Sequence, residues 1–532
     1  MMALSEAANI VQGKLYGADA LFTTVATDSR TVDRGDLFVA IPGEKFDGHD
    51  FVAQAKKKGA VGAMVSAAVN TDFAQIDMPK IKVSDTTQAL GQLASHWRLR
   101  FDIPVLAITG SNGKTTVTAM AASILNQCGN CLFPERSFNN QWGVPLTLLK
   151  LNESHDFAVI EMGANHIGEI ATLSRLTRPT IALINNVAPA HLEGLGNLQQ
   201  IAQAKAEIFS GLKENGTAVI NADDQFSDQW LAQVKPQLKT GRVISFAMEK
   251  PADLTVTNLR LGSYKSLDRA PSRRHQTGSK QIKTRRSTQK ILSEAKSEWL
   301  TSRFDLHIVD EQHDEQHIAI NLTLPGRHNV MNALAAAAIC YAAGATIQSI
   351  KTGLENMQAV SGRLNPKQGL MGCMVIDDSY NANPQSIKAG IDVLANFDGV
   401  RILVLGAMAE LGKMSKQRHN EVGRYANKKR MDILMCLVSQ DNNGSDNNAR
   451  DYAHGFGKGA QVFESLDDLV AELKGNLSDG VAVLVKGSRS SMMERVVAEI
   501  IEAEDFEYGQ DYGQDYGQDH GQLDHREGTK PC

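Results

Sequence analysis

Short apolar runs recur along most of the chain, and each ends in Gly, Asp or Asn before a stretch of helical periodicity. In the first hundred residues, Leu37 to Ile41 and Val61 to Val65 read as strands separated by turn signals and a helical stretch. They make a small α/β unit that ends near the Ile103-Pro104 step. From Val105 the runs VLAIT, FAVIEMG, IALINNV and TAVINAD alternate with helices, the first of which begins at Lys114. Strands that are apolar throughout are buried on both faces, so the alternation predicts a parallel sheet covered by helices. A further block is expected from the Ala-rich helix 331–343 through the strands MVIDD, RILVLG, ILMCLV and VAVLVKG to about residue 504. The fold class is therefore α/β in three domains, with boundaries expected at 1–101, 102–324 and 325–505. The last of these is Rossmann-like, with strand ends of the kind where open α/β sheets place ligands.

Two segments break the pattern. Residues 262–298 are polar and basic, with Lys265, Arg269, Arg273, Arg274, Lys280, Lys283, Arg285 and Arg286 and no sustained apolar period. They read as a disordered insertion between two strands; the other reading is a docking patch for an acidic partner or a membrane. After Phe506 the chain repeats Tyr-Gly-Gln-Asp, a low-complexity tail (506–532) that cannot build a core and is expected to be dispensable for chemistry.

Composition narrows the class. With 42% hydrophobic and 22% charged residues, most of the chain can bury a core, and a net charge of -5 argues against a nucleic-acid binder. No apolar run is long enough to span a bilayer, and the amino terminus lacks the pattern of a secretory signal, so a cytoplasmic protein is expected. Six cysteines spread over 532 residues do not make a disulfide framework. Cys128 and Cys131 form a CxxC, but without a second pair or nearby histidines they read as structural thiols.

The strongest chemical signal is VLAITGSNGKTTVTAM, in which a strand runs into Gly110, Ser111, Asn112, Gly113, Lys114, Thr115 and Thr116 and then into a helix. Glycines let backbone N–H groups approach phosphates, and the helix amino terminus favours the anion. Lys114 can reach the β and γ phosphates, and Thr115 can hold magnesium. The spacing departs from GxxxxGK[ST], because Ile108 stands five positions before Gly113. Glu161 ends the strand FAVIE and His191 follows the strand IALIN, so both would face the same crevice and could ligate magnesium. Taken singly, each could instead be a solvated or merely hydrogen-bonded side chain. Asn329 and Asn332 stand at the start of the Ala-rich helix, where an ordinary helix cap is the alternative reading.

These motifs together resemble the Mur ligase family and its folylpolyglutamate synthetase relatives, and the resemblance covers nearly everything from residue 20 to 500 except the basic insertion. It implies that TGSNGKTT binds ATP and that Lys205, in IAQAKAEIF, is carbamylated. The carbamate would bind one of two magnesium ions together with Thr115, Glu161 and His191. It further implies that Asn329 and Asn332 lie at the adenine, and that Arg363 (in SGRLNP) and Asp378 (in IDDSYNANP) swing towards the phosphates when the third domain closes.

DDSYNANP, LGAMAELG and VLVKGSRSSMMERV resemble the branch of the family that joins D-alanyl-D-alanine to UDP-N-acetylmuramoyl-tripeptide for peptidoglycan synthesis. The resemblance implies an acyl-phosphate intermediate and a pentapeptide product. It also gives Asp28, Ser29, Arg30, Asp47 and His49, in an amino-terminal UDP-sugar-binding domain, as candidates for the uridine diphosphate end. Asn139, Asn140, Asn381 and Asn383 are further substrate candidates. The sister branch that adds a diamino acid usually carries DNPR, which is absent. Two departures stand out: Ala407 where the branch usually has Asp in LGDM, and Arg136-Ser137-Phe138 ahead of Asn139-Asn140. A P-loop switch ATPase and a scaffold that has lost catalysis are the alternatives from other classes, and a monomer is expected because one chain can build the site.

Overall fold

The computed structural model describes residues 1–43, 46–69, 76–134, 137–189, 192–265, 300–438 and 449–502. Arg136, His191, most of the basic insertion (266–299) and the repeat tail lie outside the described residues, and so do the expectations placed on them.

The amino-terminal unit is a five-stranded sheet of β1 (Lys14–Tyr16), β2 (Val25–Ala26), β3 (Leu37–Val39), β4 (Gly62–Ser66) and β5 (Lys80–Val83), in the order β1-β5-β4-β3-β2. All pairs are parallel except β1 with β5. Helix α1 (Thr86–Arg98) starts where Asp85 accepts the N–H groups of Thr87 and Gln88, and it turns Ala89, Leu90, Leu93 and Ala94 inward. Those residues join one apolar core with Val105, Leu148 and Leu149 of the next unit. Trp97 Nε1 adds a hydrogen bond to the Leu151 carbonyl at 2.9 Å. The first unit is thus fixed to the second by apolar packing.

The central sheet has nine strands: β6 (Val105–Thr109), β7 (Cys131–Leu132), β8 (Phe157–Glu161), β9 (Ile181–Ile184), β10 (Thr217–Asn221), β11 (Arg242–Phe246), β12 (Leu254–Leu261), β13 (Ser302–Val309) and β14 (Glu315–Leu322). Their order is β14-β13-β12-β11-β10-β9-β6-β8-β7. The expected parallel sheet runs from β7 to β12, whereas β13 and β14 extend it with antiparallel pairs. β13 alternates between buried and partly solvated positions, as suits a sheet with one wet face. Helix α2 (Lys114–Leu125) follows β6, and helix α3 (Leu198–Ala206) lies between β9 and β10. β6 sits between β8 and β9, so the chain leaves it to one side and later returns on the other. That reversal opens a crevice at the carboxyl ends of these strands.

The Ala-rich helix departs from expectation. Helix α4 (Arg327–Ala342) and helix α5 (Ile347–Glu355) do not open the third block: both are buried in the core that contains Leu106, Ile108 and Val117 of the central unit. Small side chains allow a close approach, and a Cβ on Gly353 would fall 2.4 Å from Ile124 Cα. A helix that is apolar on every side carries no stripe to say which sheet it covers.

The third sheet begins at β15 (Asn365–Gln368) and continues with β16 (Met374–Asp378), β17 (Val400–Leu405), β18 (Ile433–Leu437), β19 (Ala460–Phe463) and β20 (Val481–Lys486). The order is β15-β16-β20-β17-β18-β19, parallel apart from β15. Its two faces have separate apolar cores. Helix α6 (Pro384–Leu394) crosses from β16 towards β17. Both ends of the basic insertion reach this third unit: Tyr264–Lys265 pairs with Phe397–Asp398, and Leu300 enters its core. No disulfide forms among the described residues; Cys131 is buried, which pushes its thiol up to about 12.

Candidate functional site

The loop that leaves β6 is shaped by glycine and asparagine. Gly113 has φ +78°, and a Cβ there would sit 2.2 Å from Asn332 Oδ1 and 2.8 Å from Asn185 Nδ2, so both backbone and space demand glycine. Ser111 N–H donates to the Asn186 carbonyl at 3.0 Å, while Ser111 Oγ bonds to the Ala188 carbonyl at 3.1 Å. Asn112 is held on its backbone: its N–H donates to Asn186 Oδ1 at 2.9 Å, and its carbonyl accepts from Asn185 Nδ2 at 3.0 Å and Asn186 Nδ2 at 3.1 Å. Lys114 folds over the loop with Nζ 2.9 Å from the Gly110 carbonyl. Burial lowers its pKa; Glu161 opposes that shift and Arg363 adds to it. Thr115 Oγ1 lies 3.2 Å from Ser137 Oγ, and Thr116 is buried in the first turn of α2.

Glu161 closes the same crevice from the end of β8 and is 1% exposed. Its Oε1 accepts from Asn139 Nδ2 at 2.7 Å, whereas Oε2 is buried without a hydrogen-bond partner among the described residues. Lys205 projects from α3 and is also 1% exposed. Burial first, and then the charge of Lys114, lowers its pKa to about 7, against the pull of Glu207, Glu161 and Glu169. An amine in this state is about half free base near neutrality. Asn140 instead shapes the backbone: Oδ1 accepts the N–H groups of Trp142 and Gly143, just ahead of the helix Gly143–Leu149.

Asn329 and Asn332 do not cap α4, since Gly326 occupies that position. Both are buried, with Asn332 Nδ2 3.3 Å from Asn329 Oδ1 and Asn332 Oδ1 accepting from Asn185 Nδ2 at 3.0 Å. They form a polar wall behind Gly113. Sequence reasoning missed Asn185, Asn186 and Asn221, whose Nδ2 bonds to the Asn185 carbonyl at 2.9 Å. The available signal was polar residues at the ends of adjacent apolar strands, in IALINNV and TAVIN.

From the third unit, Asp378 ends β16 and pairs with Lys486 at the end of β20, 2.6 Å apart and both nearly inaccessible. Burial raises Asp378 and lowers Lys486, and their mutual attraction offsets this only in part. Lys486 Nζ also donates to the Asn381 carbonyl at 2.7 Å. The guanidinium of Arg363 stacks on Tyr380, 4.3 Å from the ring centre. Asn383 caps α6 with a reciprocal Ser386 bond, and its Nδ2 reaches Asn112 Oδ1 at 2.6 Å. Gln385 Oε1 accepts from Asn112 Nδ2 at 3.2 Å. Lys486 and Gln385 were not anticipated, although a lysine closing the strand VAVLVK was a readable signal. At Ala407 the loop is held by backbone contacts: Ser488 N–H and Ser491 Oγ bond to the Ala407 carbonyl, and Met408 N–H donates to His419 Nε2 at 2.9 Å. Its shape therefore does not depend on an acidic side chain at residue 407.

The amino-terminal candidates stand on their own sheet. Asp28 and Arg30 form a forked pair with Nη2 to Oδ2 at 2.7 Å, and Ser29 Oγ bonds to Gln54 at 3.1 Å. His49 is buried: Nδ1 meets Asp47 Oδ1 at 2.5 Å and Nε2 accepts from Ser66 N–H at 2.9 Å. Its ring braces the Asp47 turn against β4 rather than offering a free nitrogen to a ligand.

Known proteins resemble this chain over nearly its whole length. The chain matches the Mur ligase family catalytic domain over residues 21–98, the Mur ligase middle domain over 108–340 and the Mur ligase glutamate ligase domain over 362–489. The UDP-N-acetylmuramoyl-tripeptide--D-alanyl-D-alanine ligase of Escherichia coli K12 is 41% identical over 94% of this chain and 98% of its own. Its Haemophilus influenzae counterpart is 38% identical over 92% and 96%. A crystal structure of MurF from Acinetobacter baumannii superposes with a TM-score of 0.76 at 30% identity, covering 93% of this chain and 97% of the other. With all three of its domains matched in order and relatives aligned almost end to end, the chain belongs to the Mur ligase family.

Proposed function

We propose that the protein uses ATP to join D-alanyl-D-alanine to UDP-N-acetylmuramoyl-tripeptide, giving the pentapeptide, ADP and phosphate for peptidoglycan synthesis. The observation that carries this reading is the convergence of Lys114, Glu161 and Lys205 on one crevice at the point where the central sheet reverses. The relatives named for this reaction align with that entire framework.

A carboxylate is a poor electrophile, so the tripeptide carboxylate takes the γ-phosphoryl group of ATP first, and phosphate then becomes a leaving group. The amino group of D-alanyl-D-alanine attacks the acyl carbon, and the tetrahedral intermediate collapses to amide and phosphate. Lys114 would follow the β and γ phosphates, with Arg363 adding positive charge from the third unit. The polar wall of Asn329 and Asn332 is assigned to the adenine. Asp28, Ser29, Arg30 and Asp47 are assigned to the uridine diphosphate end, and Asn139 and Asn381 to the reacting ends; the Asn383 side chain is already engaged by Asn112 and Ser386.

The donor set fits a hard divalent cation: the buried Oε2 of Glu161, unpartnered among the described residues, is an oxygen acceptor awaiting a charge, and Thr115 Oγ1 stands in the first turn of α2. Thr115, Glu161, His191 and a carbamate on Lys205 would hold up to two magnesium ions. Magnesium would supply neutralisation of the phosphoryl charge. The lowered pKa of Lys205 supports carbamylation, because the neutral amine is the species that adds to carbon dioxide.

The test is phosphate release with ATP and magnesium, with product mass read in parallel. Release that requires tripeptide and D-alanyl-D-alanine together, with a pentapeptide product, is the expected result. Release only with UDP-N-acetylmuramoyl-dipeptide and a diamino acid would reassign the branch, and no release with either pair would refute ligation.

A further inference from the structure

We infer that Asn112 is a latch between nucleotide site and third unit: the phosphate-loop residue through which helix α6 is held closed over the reacting groups, keeping water from the acyl phosphate. This rests on the proposed function for its chemistry. The geometry is direct. The Asn112 backbone belongs to the central unit, pinned by Asn185 and Asn186 through three hydrogen bonds of 2.9 to 3.1 Å. Its side chain belongs to the interface, where Oδ1 accepts from Asn383 Nδ2 at 2.6 Å and Nδ2 donates to Gln385 Oε1 at 3.2 Å. A complete amide pair is satisfied across two units, which fixes both distance and direction.

The far end of α6 touches the central unit as well. Gly326 has φ +95° and no room for a Cβ, which would lie 2.8 Å from Val393 Cγ2 and 2.7 Å from His328 Cε1. The helix is therefore seated at both ends, on the phosphate loop and on the entrance to α4. Phosphates that order the Gly110–Gly113 turn would also order Asn112, so loop occupancy and seating of α6 favour one another. Asn112, Asn383 and Gln385 act here as positioning residues and none is asked to touch the reacting atoms. An acyl phosphate exposed to water hydrolyses, which releases phosphate without making an amide.

The test uses Asn383→Ser and Gln385→Ala, alone and together. Serine caps a helix as well as asparagine does but is too short to reach Asn112. Two readouts are taken on the full chain: phosphate released per pentapeptide formed, and hydrogen exchange of the 384–394 amides with and without a non-hydrolysable ATP analogue. The unmodified protein should release one phosphate per amide, and the analogue should slow exchange in α6. In the double variant the ratio should rise several-fold and the analogue should no longer protect α6, while its dissociation constant rises by no more than the factor by which the analogue slowed α6 exchange in the unmodified protein. A ratio that stays at one, or protection that persists in the variant, overturns the latch. If the unmodified protein makes no amide, the ligase reading fails, and the exchange experiment alone decides the latch.

Discussion

Replacing Lys486 by Met tests whether the buried pair at the ends of β16 and β20 is structurally required. The ammonium sits 2.6 Å from Asp378 Oδ2, with side-chain exposures of 2% and 9%, and methionine fills nearly the same space without charge. Asp378 would keep one donor, the Leu364 N–H at 3.2 Å. It must then either remain charged in a buried site where Arg363 is the remaining nearby cation, or take up a proton. From an unfolded-state pKa of about 3.9, protonation at pH 7 costs about 3.1 units at 1.36 kcal/mol each, or about 4 kcal/mol, and that sets the ceiling. The value falls within the roughly 3–5 kcal/mol found when one member of a buried pair is removed. The sign with pH follows. In the variant the folded pKa of Asp378 lies above the unfolded one, so the folded state binds the proton more tightly. The penalty should therefore shrink by about 1.4 kcal/mol per unit as pH falls from 7 towards 5. Adding Asp378→Asn should recover most of the loss, since an amide oxygen can still accept from Leu364. Because a three-unit chain need not unfold in one step, the measurement is native-state hydrogen exchange of the 374–378 and 481–486 amides. A penalty below about 1 kcal/mol, or one that does not change with pH, would refute the argument.

Further outcomes are expected at the nucleotide crevice. Lys114→Ala should abolish product while leaving circular dichroism and the unfolding midpoint unchanged; turnover near that of the unmodified protein would remove the phosphate-loop assignment. Lys205→Ala should lose activity and regain part of it with short carboxylic acids, which replace the carbamate oxygens. Failure of rescue in a folded variant counts against the carbamate. Gly113→Ala should weaken nucleotide binding at least tenfold by calorimetry, because the new Cβ would meet Asn332 Oδ1 at 2.2 Å on a backbone with φ +78°; binding within twofold would show that the loop shape is not needed. Truncation after residue 502 should leave kcat and KM within twofold, and a larger loss would give the repeat tail a role in catalysis.

The sequence by itself determined a good deal of this protein. The short apolar runs within Val105–Thr109, Phe157–Glu161 and Ile181–Ile184, each closed by turn residues, read as two-sided strands, and Gly-Lys-Thr between a strand and a helix could only be read in a few ways. Such signals are local, because periodicity and turn chemistry act within about ten residues. Tertiary structure alone decided what depends on partners distant in sequence. It placed the Ala-rich helix on the central sheet, since a helix apolar on all sides favours no particular neighbour. It turned His49 inward to Asp47 and Ser66, and gave Asp378 its buried partner Lys486 from 108 residues away. It also set Asn383 against Asn112 across the two units. An asparagine, lysine or histidine carries the same donors and acceptors wherever it stands in the chain, and only the packing of the sheets selects which of them meet.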